Sequence, residues 1–174
     1  MLLLLIGGVV SFYTLFCCRT VARTVPNNYI LCGLFTISEA YCVAFIGSFY
    51  DTDIVLTAMW MTALIVTVVT IFAVSTKADF TPFWPIMIGI CLSMIILLFV
   101  CCLVPFSSNF YYYYYCPFGA IFYTIYLIMD VQMLVGGKRY QFNEEDYIVA
   151  ALCIYIDIVR IFIYVLRILG NKRR

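Results

Sequence analysis

The chain has 174 residues, of which 66% are hydrophobic and 11% are charged, and its formal net charge is +1. A soluble domain carries roughly 25% charged residues, and one of this length could not hide so much apolar surface in a single core. The small net charge provides neither the basic field that attracts nucleic acid nor an acidic tail. The composition therefore predicts an integral membrane protein that binds the lipid bilayer and no nucleic acid.

Six apolar segments are predicted to cross the membrane as helices. A spanning helix needs about 20 predominantly apolar residues, and the first segment is at the lower limit. The segments are, approximately, 1–18, 28–50, 54–75, 84–106, 118–136 and 147–169. The loops between them are short and leave no room for a second, soluble domain. We therefore expect an all-α integral membrane fold with a single helical bundle over residues 1–174.

The distribution of basic residues predicts the orientation of this bundle. The first, third and fifth loops contain basic residues, and the second and fourth loops contain none. These residues are Arg19, Arg23, Lys77, Lys138 and Arg139. The positive-inside rule places the odd loops in the cytoplasm and Met1 on the opposite side. Because almost no residues precede the first span, we expect that an upstream helix is missing.

The last segment conflicts with this orientation. Six complete spans would place Lys172, Arg173 and Arg174 on the non-cytoplasmic side, against the positive-inside rule. Either the last segment crosses the membrane despite its basic tail, or it is a re-entrant helix that returns to the cytoplasmic side. A re-entrant helix is tolerated only where protein or water surrounds it.

Four ionisable residues lie inside the predicted spans, and such residues usually face the interior of a bundle. They are Glu39, Asp130, Asp157 and Arg160. Asp130 and Asp157 lie on either side of the fifth loop. With a rise of 1.5 Å per residue, their depths from the cytoplasmic surface are roughly 9 and 15 Å. Two adjacent, tilted helices can therefore bring these carboxyl groups together.

A buried pair of carboxyl groups has specific chemistry. Two like charges in a medium of low dielectric constant cannot both ionise cheaply, so the pair is expected to share a proton. Such a pair responds to pH, and its ionised form offers hard oxygen ligands to Ca²⁺. The alternative is that each aspartate hydrogen-bonds a tyrosine on its own helical face, either Tyr123 or Tyr126 for Asp130 and Tyr164 for Asp157.

Three further features have alternative interpretations. Glu39, in the middle of the second span, either lines a pore or forms a hydrogen bond across a helix interface. The run Tyr111–Tyr115 is interpreted as an interfacial aromatic belt rather than as an aromatic cage. The nine cysteines form no CxxC pair and the sequence has no histidine, so we expect packing residues and not a zinc site.

Three stretches of the sequence carry a family resemblance. The last third reads MDVQMLVGGKRYQF and then NEEDYIVAALCIYIDIVRIFIYVLRILG, which resembles the end of the transmembrane Bax-inhibitor-motif family. VPNNYILCGLFTISEAY and STKADFT resemble the Lifeguard branch of that family. The family fold is a bundle of seven helices with the most C-terminal helix near the centre. The resemblance therefore implies that this chain lacks the family's first helix.

The resemblance also implies a function. It suggests a pH-sensitive Ca²⁺ leak across the endoplasmic reticulum, the Golgi or another intracellular membrane, with suppression of cell death. In the family, two aspartates in the last two helices sense pH and Ca²⁺, and they correspond to Asp130 and Asp157. Arg19 matches an arginine that bonds to this pair and helps to latch the pore shut. Ca²⁺ would be the permeant or sensed ion, no cofactor is implied, and apoptosis-regulating membrane proteins are the expected partners.

Two positions depart from the family pattern. Met129 and Val131 replace the usual tyrosine and threonine beside the first aspartate, which removes a local hydroxyl partner. Arg160 stands where asparagine is typical, three residues after Asp157 and so on the same helical face. We expect Arg160 to act as an internal counter-ion of Asp157 and to oppose Ca²⁺ passage, unless it snorkels or faces a partner helix.

Three other functions compete with this interpretation. Intramembrane aspartyl proteases also use two aspartates, but neither Met129–Asp130 nor Tyr155–Ile156–Asp157 completes their motifs, so we expect no enzyme activity. A proton-coupled transporter would show inverted repeats, which the sequence lacks. The serious alternative is a non-conducting membrane scaffold that regulates apoptosis through partner proteins.

Overall fold

The computed structural model describes the backbone of residues 2–103 and 111–171, and the side chains of residues 6–18, 20–97 and 113–171. Throughout these ranges the chain folds as helices joined by turns, without a strand. The helices are α1 (Leu2–Cys17), α2 (Arg19–Arg23), α3 (Asn27–Gly47), α4 (Thr52–Ser75), α5 (Trp84–Leu103), α6 (Cys116–Val135) and α7 (Tyr147–Asn171). Short turns of 3₁₀ helix precede α5 and α7, at Thr81–Phe83 and Glu144–Asp146.

The predicted multi-helix membrane bundle is confirmed. Among the residues that the structure describes, four segments are long and apolar enough to cross a membrane: Asn27–Gly47, Thr52–Ser75, Tyr113–Val135 and Glu144–Asn171. Ile6–Cys17 and Thr81–Leu97 are shorter apolar helices within the described residues. The sequence did not predict α2, a short helix within the first loop.

The residues that follow α6 and the residue that precedes α4 have well-defined backbone conformations. Gly136 and Gly137 follow α6 with φ of 77° and 74°, a region of backbone conformation that favours glycine because a β-carbon would clash. Asp51 has an extended backbone and lies immediately before α4. The second loop is very short because α3 ends at Gly47 and α4 begins at Thr52. The tail Lys172, Arg173 and Arg174 lies outside the described residues.

The helix α7 lies at the centre of the bundle and packs against α2, α3, α4 and α6. At its start, the Asn28 side-chain amide donates a hydrogen bond of 3.1 Å to Tyr147 Oη. At its other end, the ring of Tyr50, just before α4, lies against Gly170. This continuous helix of 25 residues is about 37 Å long. Its course from the first loop to the second favours a crossing helix over a re-entrant one.

The two ends of the bundle differ in charge. We call the end that carries the first, third and fifth loops the basic end; it contains α2, the end of α4, the end of α6 and the start of α7. The opposite end contains the short second loop and the π-helix at Tyr111–Tyr115. There Tyr113 and Tyr114 are exposed and Tyr115 is buried, and the interfacial aromatic belt stays a prediction.

Small and branched side chains form the core between α4, α6 and α7. Ala58 and Ala73 of α4 are buried against Leu127 of α6 and Ile161 of α7. Helices in lipid gain little from the hydrophobic effect, because lipid tails are as apolar as leucine, so close van der Waals packing of small residues stabilises such contacts. Trp60 on the outer face of α4 is 78% exposed, as expected for a side chain that contacts lipid. This arrangement holds α6 and α7 side by side, which positions the two aspartates.

Candidate functional site

Asp130 of α6 and Asp157 of α7 lie next to each other in the interior of the bundle. Each residue is 4% exposed, both line one cavity, and their carboxyl groups interact with each other. Two like charges so close in a medium of low dielectric constant cannot both ionise cheaply, so the pair is expected to share one proton. The structure therefore brings Asp130 and Asp157 together, as their predicted depths in the membrane suggested.

One oxygen of the pair has an unsatisfied hydrogen-bonding capacity. Asp157 Oδ2 is buried and lacks a hydrogen-bond partner among the described residues. Leaving a buried polar atom unpaired costs roughly 1–3 kcal/mol, and such atoms in native structures call for an explanation, for example an ion or water. The expected alternative, in which tyrosine hydroxyls satisfy the aspartates, does not apply to this oxygen. Tyr123 instead packs its ring on Tyr126 and Tyr164, with centroids 6.3 and 5.8 Å apart.

A cavity of about 530 Å³ adjoins the aspartate pair. Five helices line it, namely α1, α3, α5, α6 and α7. Its polar lining includes Ser38, Glu39, Asp130, Asp157 and Arg160. Its aromatic lining includes Phe12, Tyr13, Phe16, Phe35, Tyr123 and Tyr126. The site therefore combines carboxyl groups with apolar ring surfaces inside the span.

Arg160 pairs with Glu39 of α3. The distance from Arg160 Nη2 to Glu39 Oε1 is 3.4 Å, and both residues line the cavity. The ion pair of Arg160 lies across a helix interface, which is the alternative to Asp157 that the sequence left open. The long arginine side chain reaches the neighbouring helix, while Asp157 lies beside Asp130. Glu39 fits both of its interpretations, because it lines the cavity and bonds across an interface.

Comparison with known proteins identifies the family. The family model described as "Inhibitor of apoptosis-promoting Bax1" matches residues 1–174. The chain belongs to this family. The resemblance inferred from the sequence is thereby confirmed, and membership supports a multi-pass membrane protein.

The relatives of this Bax-inhibitor family member lie in the Lifeguard branch. It is 35% identical over 166 residues to Protein lifeguard 3 of Homo sapiens, which covers 94% of this chain and 53% of that protein. Identity to Protein lifeguard 3 of Mus musculus is 34% over 165 residues, with the same coverage. Identity to Protein lifeguard 4 of Mus musculus is 29% over 157 residues, which covers 87% of this chain and 62% of that protein. The chain spans about half the length of the lifeguard 3 relatives it matches.

The ion pairs at the basic end of this family member involve Arg23. Arg19, the expected latch, is the first residue of α2, and its side chain lies outside the described residues. Arg23 Nε and Nη2 donate hydrogen bonds of 2.7 and 2.9 Å to the two carboxylate oxygens of Asp146. Arg23 Nη1 lies 2.8 Å from Glu145 Oε2. The bidentate contact of Arg23 with Asp146 fixes α2 to the turn before α7. The sequence reasoning missed it, although opposite charges in the first and fifth loops were a signal.

Gln132, two residues after Asp130, joins α6 to the third loop. It is 1% exposed, and its side chain makes good hydrogen bonds with two backbone groups. Its Oε1 accepts from Phe80 N at 2.9 Å and its Nε2 donates to Ala78 O at 2.9 Å. The sequence reasoning also missed this contact. The signal was an amide side chain within an apolar run, since a buried amide needs polar partners.

Lys138 and Asp79 complete the contacts between the third and fifth loops. Lys138 Nζ donates to the carbonyl oxygens of residues 76, 77 and 78 at 3.2, 3.1 and 3.1 Å, just after the end of α4. Asp79 accepts hydrogen bonds from Thr81 Oγ1 at 2.7 Å, Thr81 N at 3.0 Å and Arg139 N at 3.1 Å. These hydrogen bonds, chiefly the one from the Thr81 hydroxyl, hold the pKa of Asp79 below its usual value. The loops that flank the end of α6 are thus tied together.

Proposed function

We propose that this chain is a pH-sensitive Ca²⁺ leak channel of an intracellular membrane, such as the endoplasmic reticulum or the Golgi, and that it suppresses cell death. The Asp130–Asp157 pair gates the leak. The protein acts as a channel and not as an enzyme, and Ca²⁺ is its permeant or sensed ion.

The observation that carries this proposal is the buried contact between the two aspartates. With one shared proton, the pair has a single negative charge and hydrogen-bonds the two central helices together. Loss of that proton places two negative charges side by side in the interior, which repel each other and attract a divalent cation. Protons and Ca²⁺ therefore compete for the same oxygen atoms, and the competition acts on the contact between α6 and α7.

The donor set fits a transient ion better than a tightly bound one. The side chains described here contain no group of three or more His, Cys, Asp or Glu residues that could hold a metal ion. Ca²⁺ prefers six to eight oxygen ligands, so two carboxylates leave most positions to water. A weakly held ion can leave as readily as it arrives, as conduction requires. Arg160 lies 3.4 Å from the Glu39 carboxylate, so this ion pair adds no net charge to the path of Ca²⁺.

The cell-death part of the proposal rests on the family. The description of the matching model names an inhibitor of apoptosis-promoting Bax1. A change in Ca²⁺ release from an intracellular store would connect such a role with the aspartate pair. A non-conducting scaffold that binds other membrane regulators of apoptosis is the competing function.

Ion flux by the purified protein tests the channel. The chain is reconstituted into liposomes that contain a Ca²⁺-sensitive dye, and flux is recorded from mildly acidic to mildly alkaline pH. We expect a pH-dependent flux for the natural chain and a flux that no longer varies with pH for Asp157→Asn. Asp51→Asn, a matched change at an exposed position of the second loop, should behave like the natural chain. Absence of flux at every pH, from protein whose helix content and sharp melting show it to be folded, would refute the channel and favour the scaffold.

A further inference from the structure

We propose that the cavity beside the aspartate pair binds an amphipathic organic monocation, a long-chain amine, whose ammonium group contacts Asp157. The ligand reaches the cavity from the bilayer. Binding of the amine does not depend on the proposed function; its consequence, a block of Ca²⁺ flux, does.

The size of the cavity fits an organic ligand. Its volume is about 530 Å³, within the range of roughly 300–1,000 Å³ that is usual for small-molecule sites. A metal ion would need several converging ligands, and none of the described residues form such a group. The space beyond the carboxyl groups is therefore best filled by a ligand with an apolar body.

The charges of the cavity fit a single positive charge. Among the described lining residues, Arg160 is matched by Glu39 through their ion pair. Two neighbouring carboxyl groups in a medium of low dielectric constant share one proton, so the aspartate pair then leaves one net negative charge. An ammonium ion neutralises that charge without removing the shared proton, whereas a fatty acid or a lipid phosphate would be repelled. The site therefore favours a cationic amphiphile over an anionic one.

An unpaired oxygen marks where the ammonium group would bind. Asp157 Oδ2 accepts no hydrogen bond from the described residues, and Asp157 is 4% exposed and lines the cavity. An ammonium ion carries N–H donors and no acceptor, so it satisfies this oxygen and leaves no unmatched group of its own. A long-chain alcohol could donate a hydrogen bond here but would leave the negative charge unneutralised.

Aromatic rings surround the same space. Tyr123 and Tyr126 line the cavity from α6, next to Asp130, and Phe12 and Phe35 line it from α1 and α3. The negative face of an aromatic ring attracts a cation, most strongly where water is excluded. The same rings offer apolar surface to an alkyl chain. Rings and carboxyl groups together recognise both parts of an amphipathic amine.

The α1 side of the cavity provides access from the membrane. Val9 and Tyr13 of α1 line the cavity and are 57% and 62% exposed. These residues belong to an apolar helix, so their exposed surface contacts lipid. An alkyl chain in the adjacent leaflet can therefore pass beside α1 into the cavity, while its amine remains inside the protein.

Photo-crosslinking in nanodiscs of neutral phosphatidylcholine, without Ca²⁺, tests the proposal. The probe is a long-chain primary amine that carries a diazirine in its chain, and mass spectrometry maps the labelled residues. We expect labels on α1, α3 and α6 around the cavity. Unlabelled amine should compete at a concentration about tenfold or more below that of the alcohol of equal chain length, because only the amine neutralises the charge. This comparison uses the natural chain and so requires no variant to fold.

Variants then assign the contact to the carboxyl groups. Asp130→Asn/Asp157→Asn should abolish the preference for amine over alcohol, and Asp51→Asn/Asp53→Asn, the same change just before α4 and in its first turn, should keep it. If the double cavity variant does not fold, Tyr126→Leu should weaken labelling by the amine more than labelling by a diazirine alcohol. Equal competition by amine and alcohol would show that a lipid chain fills the cavity, and labels confined to the outer face of α4 would show surface partitioning. Either result would overturn the proposal.

Flux measurements separate this proposal from the channel. Specific labelling without any Ca²⁺ flux would refute the channel and leave the amine site standing. Flux without specific labelling would refute the amine site alone. Where both exist, the amine should block flux and the matched alcohol should not.

Discussion

Polar side chains at the basic end of the bundle make more complete hydrogen bonds than the polar side chains that line the interior cavity. At the basic end, Gln132, Lys138 and Asp79 each make two or more hydrogen bonds with groups of the third or fifth loop. In the interior, Asp157 keeps an unpaired buried oxygen and Arg160 makes a long contact of 3.4 Å with Glu39. The loops therefore fix the helix ends, whereas the interior retains an unpaired oxygen and a weakly paired arginine that a ligand can use.

The largest expected effect comes from breaking the basic end at Gln132. Gln132→Leu leaves the half-buried Phe80 amide without its partner, whereas the Ala78 carbonyl keeps its hydrogen bond from Lys138 Nζ. An unpaired buried group costs roughly 1–3 kcal/mol, so we expect the free energy of unfolding to fall by about 1–3 kcal/mol, measured as a lower melting temperature in detergent. The matched control is Thr62→Val, since Thr62 is also buried but its hydroxyl has no partner among the described residues. Equal losses of stability in Gln132→Leu and Thr62→Val would show that the hydrogen bonds of Gln132 do not stabilise the basic end.

The next largest effect is a gain of stability, at Asp157 in the interior of the bundle. Asp157→Asn keeps the shape of the side chain, and its amide can donate to Asp130 without a shared proton. We expect the free energy of unfolding to rise by about 1 kcal/mol while the pH dependence of flux disappears. Such a gain in stability with loss of function is typical of functional sites. A large loss of stability would show that the pair is a structural contact instead.

A smaller effect is expected at Arg23. Arg23→Gln removes the ion pairs with Asp146 and Glu145, which lie at the surface and are screened by salt. We expect a modest fall in melting temperature at low salt that shrinks at high salt. Arg23→Lys keeps the charge but not the two-pronged contact, and should lie between the natural chain and Arg23→Gln. A loss that does not depend on salt would argue against the electrostatic explanation.

Local sequence patterns predicted the spans and the neighbouring aspartates, but not the polar contacts between loops. The spans could be predicted because a helix that crosses a bilayer needs a long run of apolar residues. The two aspartates could be predicted to be neighbours because Asp130 and Asp157 flank one short loop. The contacts of Gln132 with residues 78 and 80 depend on how α4 and α6 pack, which no local pattern specifies. The partner of Arg160 stayed open between Asp157 and another helix, because spacing along α7 says nothing about Glu39 on α3. The roles of these residues in Ca²⁺ leak stay predictions.

The smallest expected effect is a pH dependence at Asp79, in the third loop at the basic end. Hydrogen bonds from Thr81 and Arg139 favour its ionised form, so the pKa of Asp79 is lower in the folded protein than in the unfolded chain. Its contribution to stability is therefore complete above the unfolded pKa, about 3.9, and is lost as the pH falls through the folded pKa. We expect Asp79→Asn to lower the melting temperature at neutral pH, with a difference from the natural chain that narrows in acid. Asp53→Asn, an exposed carboxylate at the opposite end, should show no such narrowing. If the difference for Asp79→Asn stayed constant with pH, its hydrogen bonds would not depend on the charge, and the basic end would owe its order to the amide and lysine contacts alone.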